Sequence, residues 1–94
     1  MSAEKIIDGL SHKNRLAILE MICESKNEGI VVGMLAEMLS LTQPTTTHHL
    51  LIMKEAGLLE MNTNSYCHVY TVRVETLRKL KNYLTILIEK CERN

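Results

Sequence analysis

Between residues 77 and 91 the chain sets Leu77, Leu80, Leu84, Leu87 and Cys91 at alternating spacings of three and four, the pattern of a helix with one apolar seam. Tyr83 and Ile88 lie beside that seam, while Lys79, Lys81, Glu89 and Lys90 fall elsewhere around the helix. So regular a seam requires a partner helix. A chain of 94 residues makes one domain with a modest core, too small to cover the seam alone. The expectation is a single domain over residues 1–94 whose last helix is completed by a second copy.

Composition narrows what fills the core and what the surface attracts. The apolar fraction is 46%, yet the only aromatic residues are three tyrosines, so Leu, Ile, Val and Met must supply the interior. That favours helices packed on helices. Eleven Lys and Arg balance eleven Asp and Glu, and the isoelectric point is about 6.9. Net charge therefore gives no sign of nucleic acid, and such a function has to rest on a motif. Cys23, Cys67 and Cys91 are odd in number and widely spaced, which reads as reduced thiols in a cytoplasmic protein. No apolar run nears the roughly 20 residues of a membrane span, and Glu4, Lys5 and Asp8 interrupt the amino terminus where a secretory signal would be apolar. With no catalytic motif and its glycines scattered singly, the chain is expected to be neither an enzyme nor a cofactor binder.

Local signals divide the sequence into consecutive elements. Ser2 suits an N-cap for a short helix bearing Ile6, Ile7 and Leu10, with Gly9 loosening its end. Ser11 is the next expected N-cap, and Leu16, Leu19, Ile22 and Cys23 follow at helical spacing to about Glu24. After a polar run from Ser25 to Gly29, residues 30–40 predict a short helix with Leu35, Met38 and Leu39 on its inner face. The next helix is signalled at both ends. Thr42 is its N-cap, Pro44 sits in a first turn that needs no donor, and Gly57 with Leu58 after Ala56 forms a left-handed C-terminal cap. At 100° per residue its buried face is Thr46, Leu50 and Met53, with Pro44, His48, Leu51 and Glu55 outward and Thr45 and Thr47 flanking. Residues 59–61 and 66–72 are β-type runs around a hairpin tip, Asn62 to Ser65, and the long helix closes the chain.

Helix, helix, short helix, turn, helix, hairpin, long helix is the order of a winged helix-turn-helix, mainly α with a small β-hairpin. The stretches Leu10 to Leu19 and Leu41 to Leu59 also resemble the ArsR/SmtB family of dimeric bacterial and archaeal repressors. Thr42-Gln43, Thr47-His48-His49-Leu50 and Glu55-Ala56-Gly57-Leu58 carry most of that resemblance, which extends over nearly the whole chain. It implies a homodimeric repressor on double-stranded DNA, joined through its first and last helices. The dimer contacts would be Ile6, Leu10, Leu77, Leu80, Leu84, Leu87 and Cys91.

By the same resemblance Gln43, Thr45, Thr47 and His48 would touch bases and phosphates. Their chemistry agrees: Gln pairs a donor with an acceptor as adenine requires, hydroxyls and an imidazole suit phosphates or base edges, and a helix N-terminus attracts anions. Capping and solubility are the plainer role for the same residues. His49, nearer Leu50 and Met53, is expected to be packed or hydrogen-bonded.

The sequence also departs from the family pattern. The hairpin tip has no Lys or Arg, Leu51 stands where Lys is common, and Lys13 stands where Pro is common. Between Leu16 and Glu60 the only bases are Lys26 and Lys54, against Glu20, Glu24, Glu28, Glu37, Glu55 and Glu60. Phosphate neutralisation would then depend on Lys13 and Arg15, with Arg73, Arg78, Lys79 and Lys81. The alternative is a winged-helix module that binds proteins without specific DNA. Metal-sensing relatives use cysteines that align near Val31 and Gly33, or carboxylate and histidine ligands on the last helix, which here has no histidine. No metal is therefore expected, and no effector is legible. Cys23 is expected in the core, Cys67 and His68 in the hairpin, and Cys91 at the end of the seam.

Overall fold

Capping sets where the helices begin. In the computed structural model, which describes residues 2–63 and 67–93, Ser2 Oγ accepts from the Lys5 amide at 3.3 Å and starts α1, Ala3–Leu10. Ser11, expected to open the second helix, instead closes the first. Its amide and its hydroxyl both donate to the Asp8 carbonyl, at 3.2 and 2.7 Å. The cap of α2, Lys13–Glu24, is His12, whose Nδ1 accepts from the Asn14 amide at 3.0 Å.

Residues 30 and 31, expected within a helix, form a short strand. Its β-branched pair, Ile30–Val31, is β1, and α3 starts only at Val32–Leu39. Thr42 caps α4, Gln43–Glu55, by accepting from the Thr45 amide at 3.3 Å, and Pro44 occupies the first turn as expected. Ala56 follows as the C-cap, and Gly57 takes φ 78°, a left-handed value that costs glycine little. Leu59–Thr63 is β2 and His68–Val72 is β3, so Asn62 and Thr63 belong to a strand and not to the tip. Asn64, Ser65 and Tyr66 lie outside the described residues. The three strands form an antiparallel sheet in the order β1-β3-β2, with Leu59 opposite Val72 and Ile30 opposite Tyr70. The last helix, α5, is Val74–Glu92.

One core joins these pieces. Ile6 of α1, Ile18 and Ile22 of α2, Leu35 of α3, and Leu50 and Met53 of α4 meet Leu58 of the turn after α4 and Leu59, Tyr70 and Val72 of the hairpin. Full burial of such aliphatic side chains contributes about 1.5–3 kcal/mol each. Several sequence expectations about facing need correction. Cys23, placed in the core, is exposed, as are Leu16 and Met38. Both α2 and α3 are apolar on more than one side, so their spacing alone does not select the buried stripe. Gly9, read as a weakness in α1, is a contact point: a Cβ there would come within 2.6 Å of Ala56 Cβ. Two polar side chains fasten the ends of the hairpin. Asn27 pairs with the Val72 backbone in both directions, accepting at 2.6 Å and donating at 3.0 Å. Buried Thr76 donates from Oγ1 to the Gly57 carbonyl at 2.6 Å and holds the start of α5 against the turn after α4.

Candidate nucleic-acid interface

Thr42, Pro44 and Gly57 bracket α4, and the internal pattern decides which way it faces. Thr46 and Leu50 are fully buried, with Thr46 Oγ1 returned to the Thr42 carbonyl at 2.9 Å. This fixes the rotation of the helix about its axis. Pro44, His48, Leu51 and Glu55, spaced by about one turn each, then form an exposed outward strip, as expected. Thr45 and Thr47 are exposed on its flanks. The first turn of α4 contains no acidic residue, so the partial positive charge of its N-terminus is not offset locally.

The structure brings Gln43, Thr45, Thr47 and His48 onto one exposed helix, but their side chains are not equally available. Thr45 Oγ1 already accepts from the Thr42 hydroxyl at 2.9 Å. The amide nitrogen of Gln43 lies toward α3, close enough that a Cβ on Gly33 would be 3.4 Å from it. Thr47 and His48 are the more outward pair. Lys13 is exposed at the start of α2. Arg15 is not a surface cation of the same kind. Its Nε donates to the Gly9 carbonyl at 2.9 Å, and one terminal nitrogen lies 3.3 Å from Nδ1 of His49. The guanidinium thus ties α1, α2 and α4 together.

His49 is 7% exposed and packed, as its position in the sequence implies. Burial lowers its pKa below the ordinary 6.5, and the positive charges of His12, Arg15 and His48 lower it further. The sequence reading missed His12, whose ring centroid lies 4.6 Å from that of His49, with His48 at 6.5 Å from the same ring. The only hint was three of the chain's four histidines beside Arg15 and the helix; nothing local joins residue 12 to residue 49.

The expected dimer residues separate into three groups. Ile6 is fully buried in its own chain, which leaves it no surface for a second copy and counts against this part of the expectation; the neighbouring Ile7 is exposed. Leu10, Leu77 and Leu80 are half-buried against the core. Beyond them Leu84 is 46% exposed, Leu87 39% and Ile88 56%, and every residue from Lys81 to Arg93 is exposed, Cys91 among them. The seam read from the sequence is present, and half of it faces outward. Among the described residues no group of three or more His, Cys, Asp or Glu side chains is placed to hold a metal ion, and no helix is long and apolar enough to cross a membrane.

The model of the bacterial regulatory protein, arsR family, matches residues 12–61, which span α2 to β2 and include all of α4. The chain belongs to the arsR family. Its fold is that of solved arsR-type regulators. An ArsR-like transcriptional regulator from Rhodococcus sp. RHA1 superposes with a TM-score of 0.84 at 20% identity, over 97% of this chain and 83% of that one. The homodimeric winged helix-turn-helix DNA-binding domain of a possible ArsR-family regulator from Mycobacterium bovis gives 0.72 at 18% identity, over 97% and 82%. The transcriptional repressor BigR from Xylella fastidiosa gives 0.67 at 24% identity, over 88% and 83%. No curated protein is significantly similar in sequence. Family and fold are those of transcriptional regulators and not of enzymes. In this arsR-family chain α3 and α4 are the helix-turn-helix and β2 with β3 is the wing.

Proposed function

We propose that this chain is a repressor that binds a pseudo-palindromic operator as a homodimer, with its 94 residues acting as one unit in the cytoplasm. The observation that carries the reading is the outward half of the α5 seam, Leu84, Leu87 and Ile88, on a helix whose first half is packed on its own core. Apolar surface of that kind is stabilised by a second copy, and the likeness to a homodimeric domain from Mycobacterium bovis supports the same arrangement. Two α4 helices related by a two-fold axis would enter successive major grooves about one helical turn apart. Thr47 and His48 then make the outward contacts, Gln43 reads a base once its amide swings away from α3, Thr45 supports the first turn, and Lys13 meets the backbone.

The charge distribution favours a second reading strongly enough to test. Glu55 stands on the outward strip of α4, and Lys54 is that helix's only Lys or Arg, which suits a protein partner better than a polyanion. Selection from a random duplex pool separates the two. Enrichment of a two-fold-related sequence whose base preferences relax in Gln43→Ala supports the operator reading. No enrichment at low salt favours the interaction module.

A further inference from the structure

Three histidines and an arginine meet where the start of α2 touches α4, and hydrogen bonds fix the proton positions on two of the rings, His12 and His49. Arg15 has only donors, so Nδ1 of His49 accepts from it at 3.3 Å and the neutral ring carries its proton on Nε2. The same reasoning settles His12. Its Nδ1 accepts the Asn14 amide at 3.0 Å, which leaves an Nε2–H donor on an exposed ring held by the helix cap. His48, exposed on the outward strip of α4, has its ring centroid 6.5 Å from that of His49. The charged groups that act on His49 are His12, Arg15 and His48. All are donors when charged, and none is a carboxylate. A junction built this way is complementary to an anion, and it adjoins the helix proposed to lie in the groove, where the nearest anion is the DNA backbone.

The geometry assigns His12, Arg15 and His48 to a seat for one backbone phosphate of bound DNA, formed around His49 at the junction of α2 and α4. This inference rests on α4 being the reading helix. It gives a physical reason for a histidine in a capping position that Ser, Thr, Asp or Asn fills more often: the imidazole caps α2 with one nitrogen and offers the other to the phosphate. It also supplies backbone contact without extra lysines, in a chain whose reading half is acidic.

The test separates capping from phosphate binding by using His12→Asn, since Asn keeps a strong N-cap and loses Nε2–H. The full chain is titrated with a labelled duplex spanning about two helical turns. We expect the variant to melt with the wild type, to bind about tenfold more weakly to every sequence alike, and to keep the wild-type base preferences. In the wild type, nitrogen-15 spectra of the imidazoles should show His12 as the Nε2–H tautomer and its Nε2 resonance moving when DNA is added. Unchanged affinity in a folded His12→Asn overturns the seat. Should the variant not fold, an unmoved His12 resonance at DNA saturation overturns it equally. Inorganic phosphate at matched ionic strength serves as the second probe: if it moves the His12 and His48 resonances as far as DNA does, the seat belongs to free phosphate and the DNA assignment fails. Wild-type protein that binds no duplex removes the role of α4 and the seat together, a result seen before any variant is made.

Discussion

Helices α4 and α5 both carry an apolar stripe at spacings of three and four, and the chain treats them oppositely. Thr46, Leu50 and Met53 of α4 are fully buried by the other elements of the same chain, whereas Leu84, Leu87 and Ile88 of α5 remain between 39% and 56% exposed. Periodicity reveals that a helix has an inner face but not which molecule covers it. For α4 the answer is intramolecular because α2, α3 and the hairpin close over it. For α5 only the first turns find their own core, through Leu77 and Leu80.

The sharpest way to break this comparison is to weaken each stripe in turn. Leu50→Ala removes three carbons from a closed core and should cost about 2–5 kcal/mol, a large share of the stability of so small a domain. Urea denaturation should show that loss at every protein concentration. Leu84→Glu should cost about 2–3 kcal/mol of association, because it places two carboxylates at the proposed two-fold interface. Light scattering at micromolar concentration should report a dimer for the wild type and a monomer for the variant. A wild-type monomer would mean that the α5 seam is covered by something other than a second copy.

Gly9→Ala sharpens the comparison from the side of α1, the element that touches both helices. The added Cβ would stand 2.6 Å from Ala56 Cβ and 3.0 Å from Leu58 Cδ1, at the end of α4. A methyl group normally favours a helix interior, so propensity alone predicts a gain of up to about 1 kcal/mol. Overpacking should reverse the sign and destabilise by about 1–3 kcal/mol. Thermal melting that showed a rise would mean that α1 can lift from α4 at no cost.

What the sequence made legible follows from the range of each signal. The caps at Ser2, Thr42 and Gly57 and the first-turn Pro44 act over three or four residues, and each stands where expected. The rotation of α4 was readable because its apolar and polar residues separate cleanly. In α2 the consecutive run from Leu16 to Leu19, followed by Met21, Ile22 and Cys23, leaves no polar side to define an interior, and Cys23 was misplaced for that reason. The two-residue β1 is too short for an alternating pattern and exists because β3 offers it a partner about 40 residues away. Arg15 and His49 meet across 34 positions, so neither the guanidinium's structural role nor the histidine junction had a local signature.

The smallest effect concerns that junction and its dependence on pH. His49 has a pKa below 6.5 in the folded chain because burial disfavours its charged form and because His12, Arg15 and His48 add positive charge around it. In the unfolded chain the same imidazole takes a proton near pH 6.5. The unfolded state therefore binds more protons wherever the pH lies between the two values, and stability rises with pH across that window. The contribution is complete above pH 6.5 and is lost as the pH falls through the folded pKa. Protonation at Nδ1 would also set a cation against Arg15, so the contact linking α2 to α4 should weaken in the same range. His49→Gln keeps an acceptor for the guanidinium and removes the titration. Chemical denaturation between pH 7.5 and about 5, above the range where carboxylates take up protons, should show wild-type stability declining and the Gln variant nearly flat. Parallel profiles would mean that the decline does not arise from His49. The α5 seam, which holds no histidine, should contribute nothing to the slope, so Leu84→Glu should shift the whole profile down without changing its shape.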